Sequence, residues 1–244
     1  VAKLSGGGIT LRGKTVLEVT TNAQVIIERN LCSEMSTAGA GMFVMSSSNI
    51  LINTGALFVL KNNEGTMGGG VHLQDKFTRL SISGNETRMT VEHNIAVDSG
   101  GGFRVVLQAQ VFVLSGAVLE LRNNTAHRGG GVSLETGARL MVSGFGSRTT
   151  IQGNTAGNSG GGMFMKTLAA VLVDGGGMLH IFENEANTYG GALFLKDADT
   201  TLAVSGADTH VIVQDNVAAS GGGGLCLTNG ADVLVNYSAL LELK

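Results

Sequence analysis

The chain has 244 residues, 43% hydrophobic and 14% charged, with a formal net charge of −3, which suits one large folded domain and argues against disorder. Its 16 basic residues are scattered rather than clustered, so nucleic acid gains no electrostatic footprint. The 38 glycines recur periodically and proline is absent, which excludes collagen and Pro/Gly-rich low-complexity sequence.

In chain order, glycine-rich blocks end at Gly8, Gly41, Gly70, Gly102, Gly131, Gly162, Ala192 and Gly224, at successive spacings of 33, 29, 32, 29, 31, 30 and 32. A fixed period near 31 marks a solenoid. Each period holds three short segments with period-2 alternation, which reads as strand. The first segment follows the glycines, from Ile9-Thr10-Leu11 to Leu225-Cys226-Leu227. The second runs from Leu17-Glu18-Val19 to Val233-Leu234-Val235. The third begins with Val25-x-Ile27 and Leu57-x-Val59 and reaches Val211-x-Val213. Stacked in register, these segments predict an all-β, right-handed parallel β-helix of about seven to eight coils with three strands per coil. Longer coils place Gly84–Arg88, Gly144–Arg148 and Gly206–His210 in loops protruding at every second coil.

An asparagine follows the third strand in each coil: Asn30, Asn62, Asn94, Asn124, Asn154, Asn184 and Asn216. Stacked amides at these positions predict a structural ladder. A small residue stands two positions later in most coils (Cys32, Ala96, Ala126, Ala156, Ala186, Ala218), suiting a tight inward turn. Neither feature carries chemistry.

Units such as Ile181-x-x-Asn184 followed by Gly190-Gly191-Ala192-Leu193 resemble the paired Phe-x-x-Asn and Gly-Gly-Ala repeats of the chlamydial polymorphic outer-membrane proteins. That resemblance implies a surface-exposed β-helical passenger of the autotransporter kind, implicated in adhesion. Similar repeats occur in large surface proteins of algae and other protists. The wider likeness is to pectin-lyase-like β-helices, which implies polysaccharide lyases and hydrolases as an alternative.

Sugar-bond chemistry needs an acid/base pair within several ångströms. The columns expected to face outward carry no paired carboxylates, and His72 beside Arg104 reads as an ordinary surface pair. No enzyme activity, cofactor or metal site is expected. Asp197-Ala198-Asp199 reads as a solvated turn more than a calcium loop. Cys32 is expected buried and Cys226 outward, about 29 Å apart and too far to bridge. Asn85, Asn123 and Asn236 each open an N-glycosylation acceptor pattern, relevant if the chain is secreted by a eukaryote.

The anomaly is the second-strand column. Leu51, Phe112, Met141, Leu172 and Leu234 point away from the core, and Phe164 and Phe194 add a smaller apolar pair on the neighbouring sheet. A strand apolar on both faces is expected to be covered on both. The chain therefore reads as one β-helix domain over 1–244, a segment of a longer solenoid protein that continues past open coil ends at Val1 and Lys244. Its expected role is an extracellular or cell-surface, non-enzymatic structural protein packing laterally against protein subunits in a fibre, surface layer or appendage. A surface adhesin that contacts glycans and a carbohydrate-active enzyme are the alternatives. No membrane-spanning segment and no nucleic-acid partner are expected.

Overall fold

The computed structural model describes residues 7–32 and 39–244. Every regular element among them is a β-strand, and every strand pairing is parallel. Three sheets of eight strands each, with a fourth of six, wind into a solenoid of about seven turns. At about 4.8 Å between strands, eight stacked strands span roughly 34 Å. Strand residues alternate between core and outer face, as in Asn49–Asn53, where Ile50 and Ile52 are fully buried. Their side chains join one continuous apolar core running from Val19 to Val213. The expected coil opening at Val1 lies outside the described residues.

The seven-residue ladder exists, but it passes through Asn63 rather than Asn62. Asn30 Nδ2 donates to Asn63 Oδ1 at 2.9 Å, and Asn63 Nδ2 donates to Asn94 Oδ1 at 2.9 Å. Asn62 occupies the preceding turn position at φ 56°. The third strand of that coil lies one residue away from the expected register. Leu57, Phe58, Val59 and Leu60 are all apolar, so alternation alone leaves their register open. The fold buries Phe58 and Leu60 completely and turns Leu57 and Val59 outward.

A fourth strand per coil departs from the expected three. It runs from Glu64–Met67 through Ile95–Ser99 to the two-residue strands that end at Val217–Ala218. The small residues after the ladder belong to it, with Ala126, Ala156 and Ala186 facing inward and buried. The longer loops between the second and third sheets are Gly84–Thr87, Gly144–Ser147 and Gly206–Thr209. They exceed their neighbours by a single residue.

After the fourth strand the chain doubles back across the outside of the first sheet before entering it. A glycine makes that turn at positive φ in six of the blocks, at Gly68, Gly100, Gly129, Gly160, Gly190 and Gly222, with Gly160 at 70°. A Cβ on Gly160 would lie 2.5 Å from Met163 O and 2.8 Å from Phe164 Cα, so only glycine fits. The outer face of the first sheet is therefore covered by the chain itself.

Candidate functional site

The second sheet holds the apolar column in strict register. Glu18, Leu51, Ser81, Phe112, Met141, Leu172, Ala203 and Leu234 are paired neighbours along it. All of them face away from the core, because the residues on either side of each point inward, as Val111 and Val113 do around Phe112. Leu51, Phe112, Met141 and Leu172 are half-buried by their strand neighbours, and Leu234 is 51% exposed. Ser81 interrupts the column and leaves a notch of about 340 Å³ between Leu51 and Phe112. Along one edge, a groove of about 620 Å³ is lined by Lys76, Phe77, Arg79, Arg139 and Leu168. Phe77 and Leu168 are 57% and 55% exposed and sit at φ 71° and 65°. Equivalent turns in other coils pass through the same left-handed region, as at Leu107 and Gln108 with φ 54° and 66°, so the conformation belongs to the turn.

Phe164 and Phe194 do not belong to this surface. They are only 5% and 8% exposed, because the returning chain covers them. Their rings stack at 5.5 Å between centroids, Tyr189 lies 6.4 Å from Phe194, and the Arg128 guanidinium sits 5.7 Å over Phe164. Both rings are packing residues of the doubled-back segment.

His72 and Arg104 share that covered face and form a buried polar cluster, not a surface pair. Arg104 Nη1 donates to His72 Nε2 at 3.0 Å and Arg104 Nε donates to Ser99 Oγ at 2.9 Å. Glu135 accepts from Ser133 Oγ at 3.0 Å and lies 3.1 Å from Lys166 Nζ and 3.9 Å from Arg104 Nη2. Burial pulls the Arg104 guanidinium below its ordinary range, against the opposing pull of Glu135 and Asp98. The cluster pins the returning segment onto the first sheet.

The third sheet carries a polar groove of about 410 Å³, lined among others by Arg88, Glu120, Arg122, Arg148, His180 and Phe182. Glu120 is its one carboxylate, held by Arg122 at 2.7 Å and Arg88 at 3.1 Å. Arg148 forms no ion pair among the described residues, so the groove carries a surplus of positive charge. The outward columns did not expose this site to sequence reading, because its arginines come from the strand-flanking positions. The signal was present in Arg88 and Arg148, which begin their strands two coils apart, and in Arg122, which ends the strand between them.

Cys32 is buried and Cys226 is half-buried on the outside of the first sheet, where burial pushes its thiol up. Asn85, Asn123 and Asn236 are all exposed. Thr87 of the first acceptor pattern is buried, with its hydroxyl accepting from Gly55 N at 3.0 Å, whereas Thr125 of the second is exposed. Asp197 accepts from Thr167 Oγ1 at 3.3 Å in an open turn. Among the described residues no three His, Cys, Asp or Glu side chains gather to hold a metal, and no helix is long and apolar enough to cross a membrane.

No family model matches the chain, and no curated protein matches it. The resemblance to chlamydial and pectin-lyase-like repeats therefore rests on the repeat residues alone. Among solved structures, the chain is similar to the TibC-catalyzed hyper-glycosylated fragment of TibA, at 15% identity over 99% of this chain and 100% of that one, with a TM-score of 0.14. So loose a likeness assigns neither fold nor function, and both rest on the chain's own geometry.

Proposed function

We propose that this β-solenoid is a non-enzymatic structural protein of the cell surface or extracellular space that packs laterally, through its second sheet, against protein subunits of a fibre, surface layer or appendage. The observation that carries this reading is the registered column of Leu51, Phe112, Met141, Leu172 and Leu234 on a face that nothing among the described residues covers. Water-facing sheets ordinarily alternate apolar-in and polar-out, and this one does not. The likeness of the repeats to surface β-helical passengers supports the location. Light scattering on the wild type and on a Leu51/Phe112/Leu172/Leu234→Ser variant tests the reading. Association of the wild type beside a folded, monomeric variant is the expected result. Two monodisperse monomers would overturn it.

A second reading, a surface adhesin engaging glycans, is favoured by the third-sheet groove. Its three arginines outnumber its single carboxylate, and Phe182 stacks on His180 at 4.3 Å to give an aromatic wall. An acidic glycan is the chemistry that groove suits. Glycan-array binding that disappears in Arg148→Ser would establish this role, and an array with no acidic-glycan signal would sink it.

A further inference from the structure

The partner for the second sheet can be narrowed by the order of large and small residues along its column. Moving outward from the junction between Phe112 and Met141, one direction reads Phe112, Ser81, Leu51 and the other reads Met141, Leu172, Ala203. Where one arm has a small residue, the other has a leucine. Ser81 leaves a notch of about 340 Å³ between Leu51 and Phe112, and Leu172 is the side chain at the matching distance on the other arm. Leu51 stands in the same relation to Ala203, the small residue between Leu172 and Leu234.

We propose that the second sheet binds a second copy of this chain, with the two solenoid axes antiparallel and the two-fold axis passing between the Phe112 and Met141 strands. The inference rests on the reading of that face as an assembly surface. In this arrangement Leu172 of each copy enters the Ser81 notch of the other, Leu51 enters the Ala203 gap, and Phe112 meets Met141. A two-fold interface must be self-complementary, and the six inner strands satisfy that condition, while at the two ends the same operation sets Glu18 opposite Leu234.

Charge disfavours an axis through either adjacent strand, and an axis one strand further on, between Met141 and Leu172, would set Phe112 on Ala203 and Ser81 on Leu234 but take Phe77 and Leu168 out of opposition. Shifting the axis by half a strand spacing would set Arg139 against its own copy in one direction and against Arg79 in the other, a like-charge contact that binding must overcome. With the axis between strands, Arg139 meets Gln110, whose side-chain oxygen can accept its hydrogen bond. Along the edge, the same operation brings exposed Phe77 opposite exposed Leu168 and sets Lys76 within one strand spacing of Asp199. Aligning the solenoids in parallel would place every column residue against its own copy and leave the Ser81 notches facing each other, empty. Six strands and the edge turns cover roughly 600 Å² per copy, at the low end of stable interfaces.

Two measurements made together decide the matter. In sedimentation velocity, Ser81→Leu fills the notch while making the face more apolar. The arrangement requires about tenfold weaker dimerisation or worse, whereas unspecific apolar sticking would strengthen. In a Cys32→Ala/Cys226→Ser background, Met141→Cys copies sit one strand spacing apart along the axis and cross-link with a short bismaleimide. Glu18→Cys copies sit roughly 34 Å apart and do not cross-link. Cross-linking at both positions, or a Ser81→Leu chain that associates more tightly, overturns the antiparallel arrangement and leaves the assembly reading standing. A wild type that stays monomeric at every concentration overturns both.

Discussion

Asn154 and Asn184 stack one coil apart, with Asn154 Nδ2 and its own backbone N both donating to Asn184 Oδ1 at 2.9 Å. The same Nδ2 also donates to Leu121 O at 3.1 Å in the preceding coil. One amide thus binds three successive coils, and both residues are essentially sealed from water. A buried amide costs free energy unless every polar atom is matched, so this ladder fixes coil register as well as contributing stability.

Asn154→Ala removes donors and acceptors while leaving its neighbours' partners buried. The expected loss is about 3 kcal/mol of unfolding free energy, read from urea denaturation. A loss below about 0.5 kcal/mol would show that the ladder is ornamental.

The register of the second coil gives a paired test. Asn63→Ala should destabilise nearly as much as Asn154→Ala. Asn62→Gly should be close to neutral, because glycine tolerates the φ of 56° there and no ladder bond is lost. Equal effects from the two would contradict the register of Phe58 and Leu60.

Gly160→Ala forces a side chain into a position 2.5 Å from Met163 O at φ 70°. Strain at that backbone angle adds to the clash, and the expected cost exceeds about 2 kcal/mol. Gly157, whose added Cβ would meet nothing closer than 3.6 Å, should accept alanine far more readily by the same thermal melt.

Two outward-looking apolar residues should behave oppositely. Phe164→Ala empties a site covered by Arg128 and the stacked Phe194, and should cost about 3 kcal/mol. Leu172→Ser lies on the open face and should cost less than about 1 kcal/mol while abolishing association. Chemical denaturation separates the two, and similar losses would mean the returning segment does not cover the first sheet.

Acid should weaken the fold through His180. Its pKa lies below the ordinary 6.5 because burial disfavours the charged ring, assisted by Arg148 and Lys244 and opposed by Gln214. A base with a depressed folded-state pKa binds its proton more readily when unfolded, so stability is held above about pH 6.5 and declines as pH falls below it. His180→Gln should therefore show a smaller drop in melting temperature than the wild type between about pH 7.5 and 5. Parallel drops would remove His180 from the effect.

By itself the sequence determined the solenoid, its period near 31, the inward residues of most strands and the apolar column of the second sheet. Each of these is local, since alternation and spacing repeat within every coil. Tertiary structure decided what alternation leaves undetermined. Four consecutive apolar residues at Leu57–Leu60 have no intrinsic register, and only the bond from Asn30 to Asn63 and the core space for Phe58 chose one. Burial of Phe164, Phe194 and His72 was likewise invisible, because an outward-pointing strand residue is exposed only if nothing later in the chain crosses it. The glycine turn at Gly160 folds that cover into place, and the second sheet, which nothing among the described residues crosses, keeps its face open.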